Sequence, residues 1–222
     1  MGLLSDLDIK KKIKGGEISI ENFDENCLAP ASYDMRLGNE AFKSSPPEKL
    51  DLATRGILVI EPAQFVMFTT YEKVRLSTKV AGHLGLRSHY TRKGLVPLLG
   101  PQLDPGYEGR PSINVYNAGT RDVVIPYRDP ILTIEFYQLD VAASKPYSGP
   151  YQRQEQMLPE DIQFLVETKG ATLREALQTI SALSGSVDRL NDSIKWIKWS
   201  FPLIVAITGV TLAVVASMLL AR

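Results

Sequence analysis

The sequence predicts a mainly β head, followed by a helical stalk and one transmembrane helix. Short apolar runs alternate with turn residues over residues 30–140, which is typical of an all-β arrangement. A heptad-like pattern follows Pro159, and the last part of the chain is uncharged. We therefore predict a head over residues 1–156, a stalk or linker over residues 157–200 and a membrane-spanning helix over residues 201–221.

Charge and metal-ligand composition exclude two classes of function. The chain has 25 basic and 25 acidic residues, so its formal charge of +0 provides no basic field for nucleic acid, and no nucleic-acid partner is expected. Cys27 is the one cysteine, and His83 and His89 are the two histidines. These are too few for a Cys/His zinc site. Zinc-dependent deamination is therefore excluded, and no metal held by protein ligands is predicted.

The head begins with a predicted short helix and continues as strands. Ser5 is a good N-cap with Asp8 three residues later, and Ile9 and Ile13 give the helix an apolar face. The 16 glycines and 14 prolines, most of them before residue 151, suit the turns of a barrel or double-sheet roll. The predicted strands are residues 57–60, 65–70, 80–86, 112–116, 123–125 and 131–139.

A stalk helix is predicted after Pro159 from a near-heptad spacing of apolar residues. Ser184 and Asn191 occupy intervening core positions, where a polar side chain can set register and oligomer state. A helix packed on its own domain is the alternative. Gly185 weakens a helix by about 1 kcal/mol relative to Ala, so a break near residue 185 is also considered. The apolar positions are Leu173, Leu177, Ile180, Val187 and Ile194.

The uncharged run over residues 201–221 predicts a single-pass, tail-anchored protein. About 21 residues at 1.5 Å each reach roughly 31 Å, enough for a bilayer core. Trp196 and Trp199 precede the run and Arg222 follows it, as at membrane interfaces. We therefore expect membrane lipid as a partner and a head that stays in the cytoplasm.

Three segments in the middle of the chain carry polar groups, and the first of them suits a phosphorylated ligand. Residues 85–95, GLRSHYTRKGL, contain Arg87, Ser88 and Arg92, and guanidinium and hydroxyl groups bind phosphate oxygens. Residues 103–109, LDPGYEG, put Asp104 on a tight turn. Residues 113–117, INVYN, put Asn114 in the strand that follows.

In order and spacing, these segments resemble the dCTP deaminase and dUTPase superfamily. Its deaminases carry an R-S-S-x-x-R-x-G-L segment, an I-D-P-G-x-x-G turn and an aromatic-Asn strand end. The likeness extends to PASYDMRLG at residues 30–38 and YQRQ at residues 151–154, and covers residues 3–156. It implies a dUTPase-like, distorted β-barrel head in a homotrimer with sites between subunits. It also implies a deoxynucleoside triphosphate ligand whose phosphates carry Mg²⁺.

The same resemblance assigns roles to individual residues. It implies nucleotide binding by Arg87, Ser88, Arg92, Asp104, Tyr151 and Gln154. Asn114 stands where the deaminases have a glutamate that activates water. Because an amide cannot take that proton, deamination should fall by about 10²- to 10⁴-fold. We therefore expect a deaminase-inactive nucleotide sensor or membrane effector.

Enzymatic alternatives remain because acids are present near the same segments. In dUTPases the acid of the similar turn orients the water that attacks the phosphate chain, so Asp104 would be catalytic in a dUTP or other deoxynucleoside triphosphate hydrolase. Glu108 is a candidate substitute base for an active, membrane-tethered dCTP deaminase. The structural alternative for Asp104 is a residue that caps the turn before Pro105 and Gly106.

Overall fold

A computed structural model describes residues 2–98, 100–167 and 173–220. The chain divides into two compact units, Met1–Thr172 and Leu173–Arg222, which are described separately. The first unit carries all the described strands, so the predicted mainly β head is confirmed. The boundaries that we predicted between head, stalk and span stay predictions.

The first unit contains fifteen described strands and four short α-helices. The strands are β1 (Gly2–Leu3), β2 (Ile18–Ile20), β3 (Leu28–Ala29), β4 (Ser32–Ser44), β5 (Pro47–Asp51), β6 (Ile57–Ile60), β7 (Phe65–Thr70), β8 (Val74–Leu76), β9 (Val80–Leu86), β10 (Leu95–Leu98), β11 (Gln102–Leu103), β12 (Glu108–Gly109), β13 (Ser112–Asn117), β14 (Val123–Pro126) and β15 (Pro130–Gln138). The helices are α1 (Asp6–Lys14), α2 (Leu52–Arg55), α3 (Ser88–Thr91) and α4 (Pro159–Glu167).

The main sheet is an open, curled half-barrel built around β4. Its strand order is β10-β13-β7-β4-β15-β9-β11, with β1 added on β15 and with β3 and β5 added on β4. The remaining described strands form the small sheets β12-β8-β2 and β14-β6. Because the order of the described strands ends on β10 at one edge and on β11 at the other, these strands do not form a closed sheet. The predicted distorted barrel is therefore wrong in its closure.

The curl follows from the length of β4, which changes partners along its 13 residues. Its first half pairs with β15, and its second half pairs with β7 after a register shift between Leu37 and Ala41. Gly38 lies within this shift, where a Cβ would stand 2.6 Å from the Thr69 carbonyl oxygen. A side chain would therefore push β4 and β7 apart at this crossing.

The core of the first unit follows the alternation expected of strands. Tyr33, Met35 and Leu37 of β4 are fully buried at every second position. The predicted cap of α1 is confirmed, because the Asp8 amide donates to Ser5 Oγ at 3.2 Å and the helix buries Ile9. A second, smaller apolar cluster joins Met157 and α4 to the head.

The second unit contains one long helix, α5 (Leu173–Leu220). It continues through Gly185 and Pro202, so the considered break near residue 185 is not present. The side chains of Leu173 and Leu177 lie outside the described residues.

The structure overturns the membrane prediction. In the part of the chain that the structure describes, no helix has a stretch that is long and apolar enough to cross a bilayer. Part of the predicted span, including Ala221, lies outside those residues. The predicted transmembrane helix over residues 201–221 and the single-pass membrane location are therefore wrong, and lipid loses its support as a partner. That prediction rested on the length and the lack of charge of the run, which are properties of the sequence alone.

Candidate functional site

A cavity of about 360 Å³ opens beside the middle of β13. Asn114 lies opposite Leu98 of β10 on one side and Met67 of β7 on the other. The turn after β11 adds Asp104, and two later segments complete the wall. The lining residues include Met67, Leu84, Leu98, Gln102, Asp104, Tyr107, Ser112, Asn114, Tyr147, Tyr151, Gln154 and Asp161, and we call this cavity the pocket.

The Asp-Pro-Gly turn is held in one conformation by local geometry. The Tyr107 amide donates to the Asp104 carbonyl at 3.0 Å. Gly106 has a φ of 88°, and a Cβ there would lie 2.6 Å from Pro146 Cβ. Only glycine fits this position, so the turn places the Asp104 side chain reproducibly at the pocket.

The closing segment, residues 151–155, reaches the pocket through backbone pairing with β12. The Arg110 amide donates to the Gln154 carbonyl at 2.7 Å, and the Arg153 amide donates to the Glu108 carbonyl at 2.6 Å. Gln154 and Gly109 form a parallel bridge. Tyr151 and Gln154 are therefore brought to the same pocket as Asp104 and Asn114, although more than 30 residues separate them along the chain.

Two amide side chains in the pocket wall have unused hydrogen-bonding groups. Asn114 Oδ1 and Gln154 Nε2 are buried without a hydrogen-bond partner, and Gln154 is only 5% exposed. A buried polar group without a partner costs about 1–3 kcal/mol. The two residues line the pocket, and each has one polar atom that the described chain leaves without a partner: an acceptor on Asn114 and a donor on Gln154.

The pocket contains two carboxylates, and one of them was not predicted. Asp104 Oδ1 accepts a hydrogen bond from Gln102 Nε2 at 2.9 Å. Asp161 of α4 accepts one from the Tyr151 hydroxyl at 3.3 Å. Burial and then the nearby Asp161 charge raise the pKa of Tyr151, so its hydroxyl stays protonated and remains a donor. Asp161 was not among the predicted site residues, because residue 161 was assigned to the stalk or linker.

Glu108, the candidate substitute base, is held outside the pocket. Its carboxylate lies 3.2 Å from Lys73 Nζ in a salt bridge. Its backbone amide donates to Gln152 Oε1 at 3.1 Å. Glu108 thus supports the closing segment and does not face the pocket lining.

The predicted phosphate-binding residues lie on and around α3, in a different part of the surface from the pocket lining. Arg87 caps α3, and its Nε lies 2.9 Å from the Asp34 carboxylate. Ser88 and Arg92 are exposed, and Arg92 lines a separate cleft with Arg121 and other residues. Within one chain, the six predicted nucleotide-binding residues therefore form two groups.

The structure also bears on the predicted Mg²⁺. Among the described residues, no group of three or more His, Cys, Asp or Glu side chains lies close enough to hold a metal ion. The pocket offers the separate carboxylates of Asp104 and Asp161. Mg²⁺ bound chiefly through nucleotide phosphates stays a prediction.

Comparison with known proteins identifies the family. A sequence profile described as dCTP deaminase-like matches residues 3–139. The chain belongs to this family. The predicted resemblance is thereby confirmed over residues 3–139, a range that contains α3, Asp104 and Asn114.

Two relatives in the dCTP deaminase-like family match this chain over most of their own length. The dCTP deaminase of Pyrococcus horikoshii is 37% identical over 150 residues, which is 68% of this chain and 91% of the relative. An Aquifex aeolicus relative named "dCTP deaminase, dUMP-forming" is 29% identical over 177 residues, with 75% and 98% covered. The crystal structure of a deaminase of 2'-deoxycytidine 5'-triphosphate from Agrobacterium tumefaciens shares the fold. Its TM-score is 0.53 at 19% identity, and 61% of this chain and 48% of that chain are covered.

Proposed function

We propose that this member of the dCTP deaminase-like family binds a pyrimidine deoxynucleoside triphosphate in the pocket without deaminating it, and so acts as a nucleotide sensor. The observation that supports this most directly is the amide side chain of Asn114 in the pocket wall, whose Oδ1 is buried without a partner. The resemblance places the water-activating glutamate of the deaminases at this position. An amide forms hydrogen bonds but does not accept a proton at neutral pH.

The base would bind against the two unpartnered amides. Asn114 Oδ1 accepts and Gln154 Nε2 donates, and the edge of a pyrimidine ring offers groups of both kinds. A bound base would therefore remove the cost of two buried unsatisfied groups, which favours the bound state. The dCTP named for the relatives supports a pyrimidine as the base.

The triphosphate would be bound by α3 of a neighbouring copy. Arg87, Ser88 and Arg92 lie apart from the pocket within one chain, and the resemblance implies a homotrimer with sites between subunits. Ser88 and Arg92 are exposed, as a surface that contacts another copy's ligand requires. Mg²⁺ would enter on the phosphates and neutralise part of their charge.

Sensing requires that binding reach a part of the protein outside the pocket. The Tyr151 hydroxyl donates to Asp161 of α4, and both residues line the pocket. Met67, also in the lining, packs in the small cluster that holds α4 on the head. A ligand that contacts Tyr151 in the pocket would therefore shift the equilibrium position of α4.

A second candidate function is hydrolysis of a deoxynucleoside triphosphate at Asp104. Asp104 lines the pocket on a rigid turn, and the name of the Aquifex relative includes formation of dUMP, a product that requires loss of pyrophosphate from the triphosphate. Under this alternative Asp104 would orient the water that attacks the phosphate chain, and Asp104→Asn would abolish release of pyrophosphate from dUTP.

The proposal is tested by measuring binding and turnover together on the full-length protein. Calorimetry with dCTP, dUTP and dTTP in the presence of Mg²⁺ should detect binding, while chromatography of the same mixtures should show unchanged nucleotide. Conversion of dCTP to dUTP by the unmodified protein would falsify the inactive assignment.

Replacement of the amide by a carboxylate provides the complementary test. Asn114→Glu should restore measurable deamination of dCTP, because the new carboxylate can accept a proton from water. Asn114→Gln is the matched control, since it has the same length without the charge, and it should stay inactive. Equal activity in the two variants would contradict the role given to the carboxylate.

A further inference from the structure

Helix α5 carries a continuous apolar stripe that is open to solvent. Its six side chains are spaced alternately three and four residues apart, so they share one face of the helix. Each side chain is between 49% and 63% exposed. So many large apolar side chains are seldom exposed together on one face of a helix. We call this stripe the α5 seam, and it consists of Ile180, Leu183, Val187, Leu190, Ile194 and Ile197.

We propose that the α5 seam is a parallel, in-register coiled-coil interface between copies of this chain. The six residues supply the two core positions of three successive heptads. One of these positions, every seventh residue from Ile180, is β-branched throughout. The other begins with Leu183 and Leu190. β-branched residues at the first core position with leucine at the second are the preference of parallel coiled coils.

The α5 seam has different second core positions from those that the sequence predicted, each one residue earlier in the chain. Ser184 and Asn191 were predicted as core positions, but Leu183 and Leu190 complete the apolar face with Val187. Ser184 and Asn191 then flank the seam. The polar pair therefore borders the interface instead of interrupting it.

Charge supports another copy of the same chain as the occupant. The positions that flank the seam between Ile180 and Ile194 are neutral, namely Ser184, Ser186, Asn191 and Ser193. Identical helices in register therefore bring no like charges together along this stretch, whereas a partner selected by charge needs charged flanks. The charged residues lie on the opposite face, where Lys195 Nζ and Asp192 Oδ1 are 3.1 Å apart.

The size of the seam is also sufficient. Three heptads packed between two helices bury on the order of 1,000 Å² in total, which reaches the lower bound of specific interfaces. The proposal does not depend on nucleotide binding, because no residue of the seam belongs to the pocket.

Disulfide trapping in the full-length protein tests both the interface and its direction. Leu183→Cys and Ile197→Cys, made separately, should each give a covalent dimer under mild oxidation, because a parallel seam places each residue beside its own copy. Cys27 is a buried cysteine, so the unmodified chain measures how much covalent dimer forms without an added cysteine. Arg189→Cys on the outer face is the matched control and should stay monomeric on a non-reducing gel.

A second substitution tests whether the apolar contact produces the link. Val187→Asp places a charge at the centre of the seam and should remove the disulfide of Ile197→Cys. Val187 is 55% exposed, so the change does not disturb a packed core. The proposal is overturned if neither cysteine links above the Arg189→Cys level. It is equally overturned if links form only in a mixture of Leu183→Cys and Ile197→Cys chains, since that indicates antiparallel helices.

Discussion

Gln154 combines a backbone contact that stabilises the closing segment with a side-chain donor that has no partner in the described chain. Its backbone carbonyl accepts from the Arg110 amide, while its side-chain Nε2 is buried without a partner. The backbone pairing stabilises the closing segment, but the unused donor costs stability in the absence of ligand. Such a residue is expected where a protein keeps a polar group ready for a partner that is not part of its own chain.

We predict that Gln154→Met stabilises the ligand-free protein and weakens nucleotide binding. Methionine has a similar shape without the unsatisfied donor, so the free energy of unfolding should rise by about 1 kcal/mol. Loss of the hydrogen bond to the base should lower affinity by about 10-fold. Chemical denaturation and calorimetry measure the two effects.

The control for this prediction is Gln156→Met. Gln156 is exposed, so the same change there should leave both stability and affinity unaltered. A Gln154→Met protein that is less stable than the parent would contradict the cost assigned to the buried donor.

The closing segment is held at its end by a cluster of charges. The Glu155 carboxylate lies 2.6 Å from Lys73 Nζ and 3.3 Å from Arg110 Nε. The hydrogen bond from Lys73, followed by the charges of Lys73 and Arg110, lowers the pKa of Glu155 below its ordinary value of 4.5. Since the Glu155 side chain is 53% exposed, solvent screening limits the contribution of the cluster to under about 1 kcal/mol.

This lowered pKa predicts the direction of a pH effect. A carboxyl with a depressed folded-state pKa stabilises the protein above its unfolded pKa, and that stability is lost as the pH falls through the folded value. The parent should therefore be slightly more stable than Glu155→Gln at pH 7, and the difference should shrink as the pH falls below the ordinary value of 4.5. Thermal unfolding of both proteins across this pH range provides the measurement.

Glu160→Gln is the matched control for the closing segment. Glu160 is an exposed residue of α4, and its replacement should leave the pH dependence of the parent in place. If Glu155→Gln and the parent differed equally at pH 7 and at pH 3.5, the ion pair would not be the source of the difference.

The packing of the first unit predicts that it folds without α5. Among the described residues, both apolar clusters lie within residues 4–166 and include no residue of α5. A chain ending at Glu167 should therefore unfold at the same urea concentration as the first unit of the full-length protein. An unfolded fragment, or one with a clearly lower midpoint, would contradict this division.

A shorter chain ending at Gln156 provides the contrast. It lacks α4, so Phe42 and Met67 lose their cover and the pocket loses Asp161. Exposure of a small apolar cluster should cost roughly 2–4 kcal/mol, which lowers the urea midpoint measurably.

Local features of this protein were predictable because neighbouring residues determine them. The cap of α1 depends on Ser5 and Asp8, three residues apart, and the Asp104 turn depends on the glycine that follows two residues later. The ordered motifs identified the family for the same reason, since each motif occupies a short stretch of chain. The uncharged run over residues 201–221 was also local, but its length and lack of charge did not predict its place correctly.

The sequence by itself determined the family, the mainly β character and four of the residues that meet in the pocket. Only the tertiary structure decided that the sheet stays open around β4, that Asp161 joins the pocket and that α3 stands apart from it. These outcomes depend on pairings between distant segments, such as Gly109 with Gln154. Such pairings are selected by the combined packing of the sheet, and no spacing along the chain encodes them.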